Sequence, residues 1–324
     1  MKVSSDLFRS DELKGWALDN ENLIDTIKLA DFFKVLFSVF KEDMSGRTLW
    51  VAIQEDWQLF TDDRHAESII TQLLEEQKSA LKVNTKVSYQ DDVMEPCERW
   101  EVIKNALKTE RRFFAGDLIQ DEDKWDVFFA SNVTIKSGTV YRRARINKDE
   151  KKLYTDEKDL GMPPSDKAIA GRANTYGIPY LYLGTDDLTV MYESRALVND
   201  ILSVASFVTT ADLDVVDFTF KPDLFAVFLQ SKDDFITAVQ RYVFLNEVSK
   251  DMSKAVRRYD NKEIDYLSTQ FVCEYIRLVT AAKGLIFRSA QYPNGKNIVL
   301  FDDKNVKFID VVHKEVGSVT MLFS

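Results

Sequence analysis

Residues 160–193 read LGMPPSDKAIAGRANTYGIPYLYLGTDDLTVMYE. The run opens on Pro163-Pro164 and passes through a loop, residues 170–179, that holds one cation and one aromatic among mostly small residues. Pro and Gly at such positions punctuate a chain into loops. An apolar strand follows at Tyr180-Leu181-Tyr182-Leu183, then a turn at Gly184-Thr185-Asp186-Asp187, then a helix that carries Glu193. Loop, strand, turn and helix in this order place Arg172, Tyr182 and Glu193 so that they can converge at one end of a sheet. That set can hold an anionic ligand and stabilise a cation formed from it.

Outward from this stretch the texture is mixed. Val133 to Ile135 and Thr139 to Ile146 alternate as strands do, with Gly138 as the turn between them. Ile201 to Val208 and Leu213 to Phe220 read as strands, Asp233 to Lys250 and Ile264 to Lys283 as helices. Gly284 to Phe287 and Asn297 to Phe301 form a hairpin around Asn294-Gly295. Val306 to Val312 and Val319 to Phe323 complete the strands. Strands do not alternate with helices, so this half is α+β with mixed or antiparallel sheets and flanking helices, not a doubly wound βαβ fold. No GxGxxG and no P-loop occurs.

Upstream, the pattern is largely helical. Asn20 to Glu42 repeats apolar residues at three- and four-residue spacing, and Phe32, Phe37 and Val39 widen the stripe into a helix buried on several sides. His65 to Lys82 and Glu98 to Ala115 are two more helices, Thr48 to Leu59 is a short apolar-aromatic segment, and Asp91 to Pro96 is a turn. The chain therefore divides into a helical domain at 1–133 and an α+β domain at 134–324. The helical domain shows no catalytic constellation, so scaffolding, partner binding or oligomer assembly is its expected work.

Composition sets limits on both halves. Of 324 residues, 45% are apolar, enough for a sizeable core. The formal charge of −10, from 43 basic and 53 acidic residues, repels nucleic acid phosphates and argues against direct nucleic acid binding. Two cysteines, Cys97 and Cys273, and two histidines, His65 and His313, supply neither a disulfide framework nor a metal site. No basic-then-apolar leader and no membrane-length apolar run is present, so a cytoplasmic location is expected.

Several groups in the α+β half could carry chemistry. Arg142 faces opposite to Arg143 and Arg145 on their strand, so one side of the strand is a core or cleft side. Three solvated arginines on an edge strand are an equally good reading of that pattern. Arg172 suits a bidentate grip on phosphate, although loop arginines are usually solvated. Tyr182 is an inward strand residue or ordinary core. Glu193 follows Val190-Met191-Tyr192, near the buried side of its helix, where a carboxylate needs a partner or a task. Asn174 shares the Arg172 loop, and Ser268 lies in the first turns of the Ile264 helix.

Five separated motifs occur in one order. They are Tyr141-Arg142, the run from Leu160 to Leu183, Glu193, Tyr266 with Ser268-Thr269-Gln270, and Gly284 to Phe301 with Ser289. Together they resemble the RES domain, named for its Arg, Glu and Ser, over roughly residues 134 to 310. The region before it is similar to the helical N-terminal domain associated with HEPN and RES proteins. It lacks the Arg-to-His spacing of a HEPN ribonuclease and has no cysteine before Cys97. The resemblance implies an ADP-ribosyltransferase-like fold and a toxin that destroys NAD⁺ at the nicotinamide–ribose bond, by phosphorolysis or hydrolysis. It implies NAD⁺ as substrate, inorganic phosphate as an optional co-substrate, no cofactor or metal, and a helix-turn-helix antitoxin as partner. Carried over by position, Glu193, Arg172 and Ser268 are the catalytic set, and Arg142, Arg143, Tyr182 and Asn174 bind substrate. ADP-ribosyl transfer to a protein, or a catalytically silent binding module, are the alternative readings.

Overall fold

A computed structural model of the chain describes residues 23–113, 122–149, 152–254 and 262–318. Its contacts separate into two compact units. Unit 1 is Met1–Glu98 with Lys221–Phe244; unit 2 is Arg99–Phe220 with Leu245–Ser324. The units therefore do not divide at residue 133, since residues 221–244 return to the first one.

Unit 1 contains α1 (Leu23–Ser38), β1 (Phe40–Thr48), α2 (Leu49–Trp57), α3 (Asp63–Glu76), β2 (Lys86–Tyr89) and the start of α4 (Asp91–Thr109). The returning segment adds α8 (Leu224–Gln230) and the first part of α9 (Lys232–Ser253). Its core is a phenylalanine cluster. The Phe32 ring meets Phe33, Phe225, Phe228 and Phe235 edge-on at centroid distances of 5.1 to 6.0 Å. Aromatic pairs favour this edge-to-face contact, because ring edges are positive and faces negative. The wide apolar stripe of α1 is thus spent on packing.

The region is largely helical, as its pattern predicts, with one two-stranded antiparallel sheet of β1 and β2 added. One expectation is corrected. Asp91 to Pro96 is not a turn but the first part of α4, with Pro96 inside the helix. Proline lacks the N–H that would bind the Asp92 carbonyl four residues back. Gln240 Nε2 donates to that carbonyl instead, at 2.8 Å. A side chain from 148 residues downstream in sequence makes the helical proline tolerable, and no local pattern announces it.

Unit 2 is built on an eight-stranded sheet. Its strands are β3 (Val133–Ile135), β4 (Val140–Ile146), β5 (Leu181–Gly184), β6 (Ile201–Thr209), β7 (Leu213–Asp217), β8 (Gly284–Arg288), β9 (Lys296–Leu300) and β10 (Val306–Glu315). Their order is β10-β6-β4-β5-β9-β8-β7-β3. The β7–β8 pair is parallel and the other pairs are antiparallel. This is the α+β sheet that the strand spacing predicts. Helices α5 (Glu122–Phe129), α6 (Glu157–Leu160), α7 (Asp187–Glu193), α10 (Lys262–Asp265) and α11 (Leu267–Val279) accompany it. The predicted helix from Ile264 to Lys283 is divided at Tyr266. The predicted strand Val319 to Phe323 lies outside the described residues.

Leu181, Leu183, Phe207, Val215, Ile286, Ile298 and Leu300 form the main core of the sheet. On the other face Val190 of α7 packs with Leu202, Val204 and Val316. Each such side chain contributes about 1.5–3 kcal/mol by leaving water. This packing anchors α7, and so the residue at its end, Glu193.

Candidate active site

The sheet of unit 2 is nearly split in the middle. Strands β4 and β5 meet at a single pair, Arg142 with Gly184. An antiparallel register continued from that pair would put Ala144 opposite Tyr182, but no such pairing forms. The strands part there, and a cavity of about 450 Å³ opens between them. Ligand clefts commonly have this size. Arg143 and Arg145 line it from β4, Tyr182 from β5, Arg172 from the loop, Glu193 from α7 and Asn297 from β9.

Glu193 is held by one oxygen. Its Oε1 accepts from Ser289 Oγ at 2.6 Å, from the Ala290 N–H at 3.1 Å and from Asn297 Nδ2 at 2.9 Å. Three donors on one atom fix the orientation of the carboxylate. Its other oxygen takes no hydrogen bond among the described residues. The local structure that makes this is short. Asp186 caps α7, accepting from the Thr189 N–H at 2.8 Å. Ser289 ends β8 and also accepts from the Gln291 and Tyr292 N–H groups, which shapes the β8–β9 loop. Gly295 lets that loop lie on α7: a Cβ there would fall 2.4 Å from Thr189 Oγ1. The Tyr292 ring stacks on Tyr192 with centroids 5.2 Å apart.

The Arg172 loop is pinned from several sides. Tyr182 donates its phenol proton to Asn174 Oδ1 at 2.7 Å and accepts from the Ala173 N–H at 3.0 Å. Burial keeps that phenol well above the usual tyrosine range, so it stays protonated. Asn174 Nδ2 donates to the carbonyls of Ile169, Thr175 and Ile178. Gly171 permits this closure, because a Cβ there would stand 2.6 Å from Tyr182 Oη. The Arg172 guanidinium donates to the Lys254 carbonyl and lies over the Tyr266 ring, 5.3 Å from its centroid. Burial lowers its proton affinity, against attraction from Tyr266 and Glu193.

The predicted site residues are only partly brought together. Glu193, Arg172, Arg143, Tyr182 and Asn174 line the cleft. Asn174 and Tyr182 do so as loop-holding residues, since their polar atoms are spent on the chain itself. Arg142 does not line it. Its Nε binds Asp187 Oδ1 at 3.0 Å on the α7 side of β4. Strand alternation then sends Arg143 the other way, where it donates to the Gly161 carbonyl at 2.7 Å. Burial, with repulsion from Arg145, pulls the Arg143 guanidinium down to about 10. Ser268 is buried at 3% exposure in the first turn of α11 and is not among the lining residues. The serine that reaches Glu193 is Ser289, together with Asn297. The hairpin signal at Asn294-Gly295 lies between them in sequence but does not point to Glu193.

No curated protein matches the chain. A solved structure, the crystal structure of the M. tuberculosis MbcT–MbcA toxin–antitoxin complex, aligns over 60% of this chain and 91% of its own, with 11% identity and a TM-score of 0.33. The model of the RES domain matches residues 140–321, more than half of the 324 residues and every strand of the split sheet except β3, and the chain therefore belongs to the RES domain family.

Proposed function

We propose that this protein cleaves the nicotinamide–ribose bond of NAD⁺ and acts as the toxin of a toxin–antitoxin or defence system. One observation carries the reading: Glu193 offers an uncommitted oxygen in a cleft where two of the lining guanidinium groups, Arg143 and Arg172, have no carboxylate hydrogen bond among the described residues. Half-buried cations in that condition call for an anion, and a diphosphate supplies one. A carboxylate beside them suits a substrate that turns cationic at an adjacent carbon.

The chemistry follows from the leaving group. Nicotinamide carries the positive charge of the substrate, and it takes the electron pair of the C1′–N bond and departs neutral. No general acid is needed. Positive charge moves onto the ribose, whose transition state is oxocarbenium-like. The free oxygen of Glu193 stabilises that charge, and the three donors on its other oxygen keep it oriented. The nucleophile then bonds to C1′. Water gives ADP-ribose and releases a proton; inorganic phosphate gives ADP-ribose-1″-phosphate. A protein side chain as nucleophile is the transfer alternative. The partner in this reading is a helix-turn-helix antitoxin that closes over the cleft. Among the described residues no helix is long and apolar enough to cross a membrane.

Incubating the full chain with NAD⁺, with and without phosphate, and identifying products tests all of this. ADP-ribose-1″-phosphate marks phosphorolysis, ADP-ribose marks hydrolysis, and labelled protein marks transfer. Intact NAD⁺ under every condition, with folded protein, would sink the reading.

A further inference from the structure

Tyr266, just before α11, and the first turn of α11 carry three groups that converge on the Arg172 loop. Gln270 Nε2 donates to the Gly171 carbonyl at 2.8 Å and to the Asn174 carbonyl at 3.0 Å. Thr269 Oγ1 donates to the Arg172 carbonyl at 2.7 Å. The Tyr266 ring lies beneath the Arg172 guanidinium. Positions 266, 269 and 270 share one face of a helical turn, so the three act as a block. Gln270 is buried at 8% exposure. Its amide protons go to the backbone of a loop that lines the cleft, not to the cleft itself.

We propose that Gln270 is a positioning residue, latching the Gly171 and Asn174 carbonyls so that Arg172 is already placed for a diphosphate before the ligand arrives. The latch rests on the NAD⁺ reading above only for the identity of that ligand. Buried carbonyls need donors. Here one side chain serves two carbonyls, the second of which also accepts from the Gly171 N–H at 2.9 Å, and they bracket Arg172 in sequence, one carbonyl before it and one two residues after. Tyr182 and Asn174 hold the same loop from the β5 side. Removing Gln270 therefore loosens the Arg172 end of the loop, which keeps its Thr269 and Lys254 contacts, while β5 stays in place. A ligand must then order the loop as it binds, and that cost is taken from affinity. Glu193 is held by a different loop through Ser289 and Asn297, so the chemical step is spared.

The test uses the full chain with three single variants and one double. Gln270→Leu keeps the shape and removes both donors. It should raise KM for NAD⁺ and weaken ADP-ribose binding by about tenfold, the effect of about one to one and a half kcal/mol, with kcat within about twofold. Gln270→Glu donates only when protonated, so its KM defect should shrink as pH falls while that of Gln270→Leu does not. Gln270→Leu combined with Arg172→Ala should bind ADP-ribose no more weakly than Arg172→Ala alone, because the latch acts through Arg172. A fall in kcat with KM unmoved, or additive losses in the double variant, overturns the proposal. Hydrogen exchange of residues 169–177 gives a reading that needs no turnover. Faster exchange there in Gln270→Leu, with β5 and β9 unchanged, supports the latch even if NAD⁺ proves not to be the substrate. Unchanged exchange of that loop overturns the latch whatever the substrate is.

Discussion

Arg47 in unit 1 and Arg143 in unit 2 solve opposite problems with the same side chain. Arg47 reaches Asp56 with two nitrogens, at 3.0 and 2.6 Å, and Glu55 with one of them at 2.8 Å. Asp56 in turn accepts from Tyr89, which accepts from Trp57. Hydrogen bonding to Asp56 drives the Arg47 guanidinium above its ordinary value. Arg143 has a backbone carbonyl for company, and burial drives it the other way. The first cation is answered inside the protein and secures β1 to α2. The second lines a cleft and has no protein anion among the described residues. A satisfied polar network marks structure; a half-buried cation left wanting an anion marks a place for a ligand. The same contrast separates the carboxylates: Asp56 is consumed on both oxygens, Glu193 on one.

The largest expected effect falls on Glu193. Glu193→Gln keeps the size and removes the charge. It should lower kcat by about 10²–10³-fold, the usual loss for an electrostatic stabiliser of a transition state. The folded state should survive, because an amide oxygen still accepts from Ser289, Ala290 and Asn297. Normal turnover in this variant would show that the cation-stabilising role belongs elsewhere.

The arginine comparison is broken or sharpened by a matched pair of variants. Arg143→Met should raise KM for NAD⁺ by about 10–10²-fold, as expected for loss of a charged hydrogen bond of ~1.5–3 kcal/mol. Arg47→Met should leave KM and kcat unchanged per folded molecule and lower stability by about 1 kcal/mol, a small figure because Arg47 is part exposed. If Arg47→Met moved KM as far as Arg143→Met, half-buried cations without a carboxylate partner would lose their value as a guide to the site.

Strand periodicity fixed that Arg142 and Arg143 point to opposite faces, and the structure agrees. It could not say which face borders the cleft. That depends on α7 covering the Arg142 side and on β4 and β5 parting after one pair, both of which are matters of long-range packing. Glu193, Arg172 and their loop–strand–helix order were legible because the stretch is local. Ser289 and Asn297 were not legible as partners of Glu193, being 96 and 104 residues away in sequence. Ser268 is carried over from the family resemblance by its place in the Tyr266–Gln270 motif; by itself it reads as an ordinary helix serine. Its burial, at 3% exposure, is visible only in three dimensions. A pair of serine variants makes the distinction measurable. Ser289→Ala removes one of three donors on Glu193 and should reduce kcat about tenfold with little change in KM. Ser268→Ala should leave both constants unchanged. The reverse result would restore Ser268 to the site.

The smallest effect tests the comparison within a single strand. Arg142 repeats the Arg47 solution on the outer side of β4: Asp187 takes Arg142 Nε at 3.0 Å and Lys314 Nζ at 2.5 Å. The Lys314 hydrogen bond, helped by the charges of Lys314 and Arg142, holds the Asp187 carboxyl below its ordinary value. A carboxyl whose folded value is depressed contributes stability above its unfolded value, about 3.9, and that contribution is lost as pH falls through the folded value. Wild type should therefore lose more stability than Asp187→Asn between pH about 5 and about 2. Both side chains are about one-third exposed, so solvent screening keeps the difference under about 1 kcal/mol. Urea denaturation at the two pH values reads it, and added salt should shrink it further. Affinity for ADP-ribose at neutral pH should be the same in Asp187→Asn and wild type. A large drop in that affinity would mean that Arg142, freed from Asp187, had been serving the cleft after all, and that a paired arginine is no sign of a purely structural one.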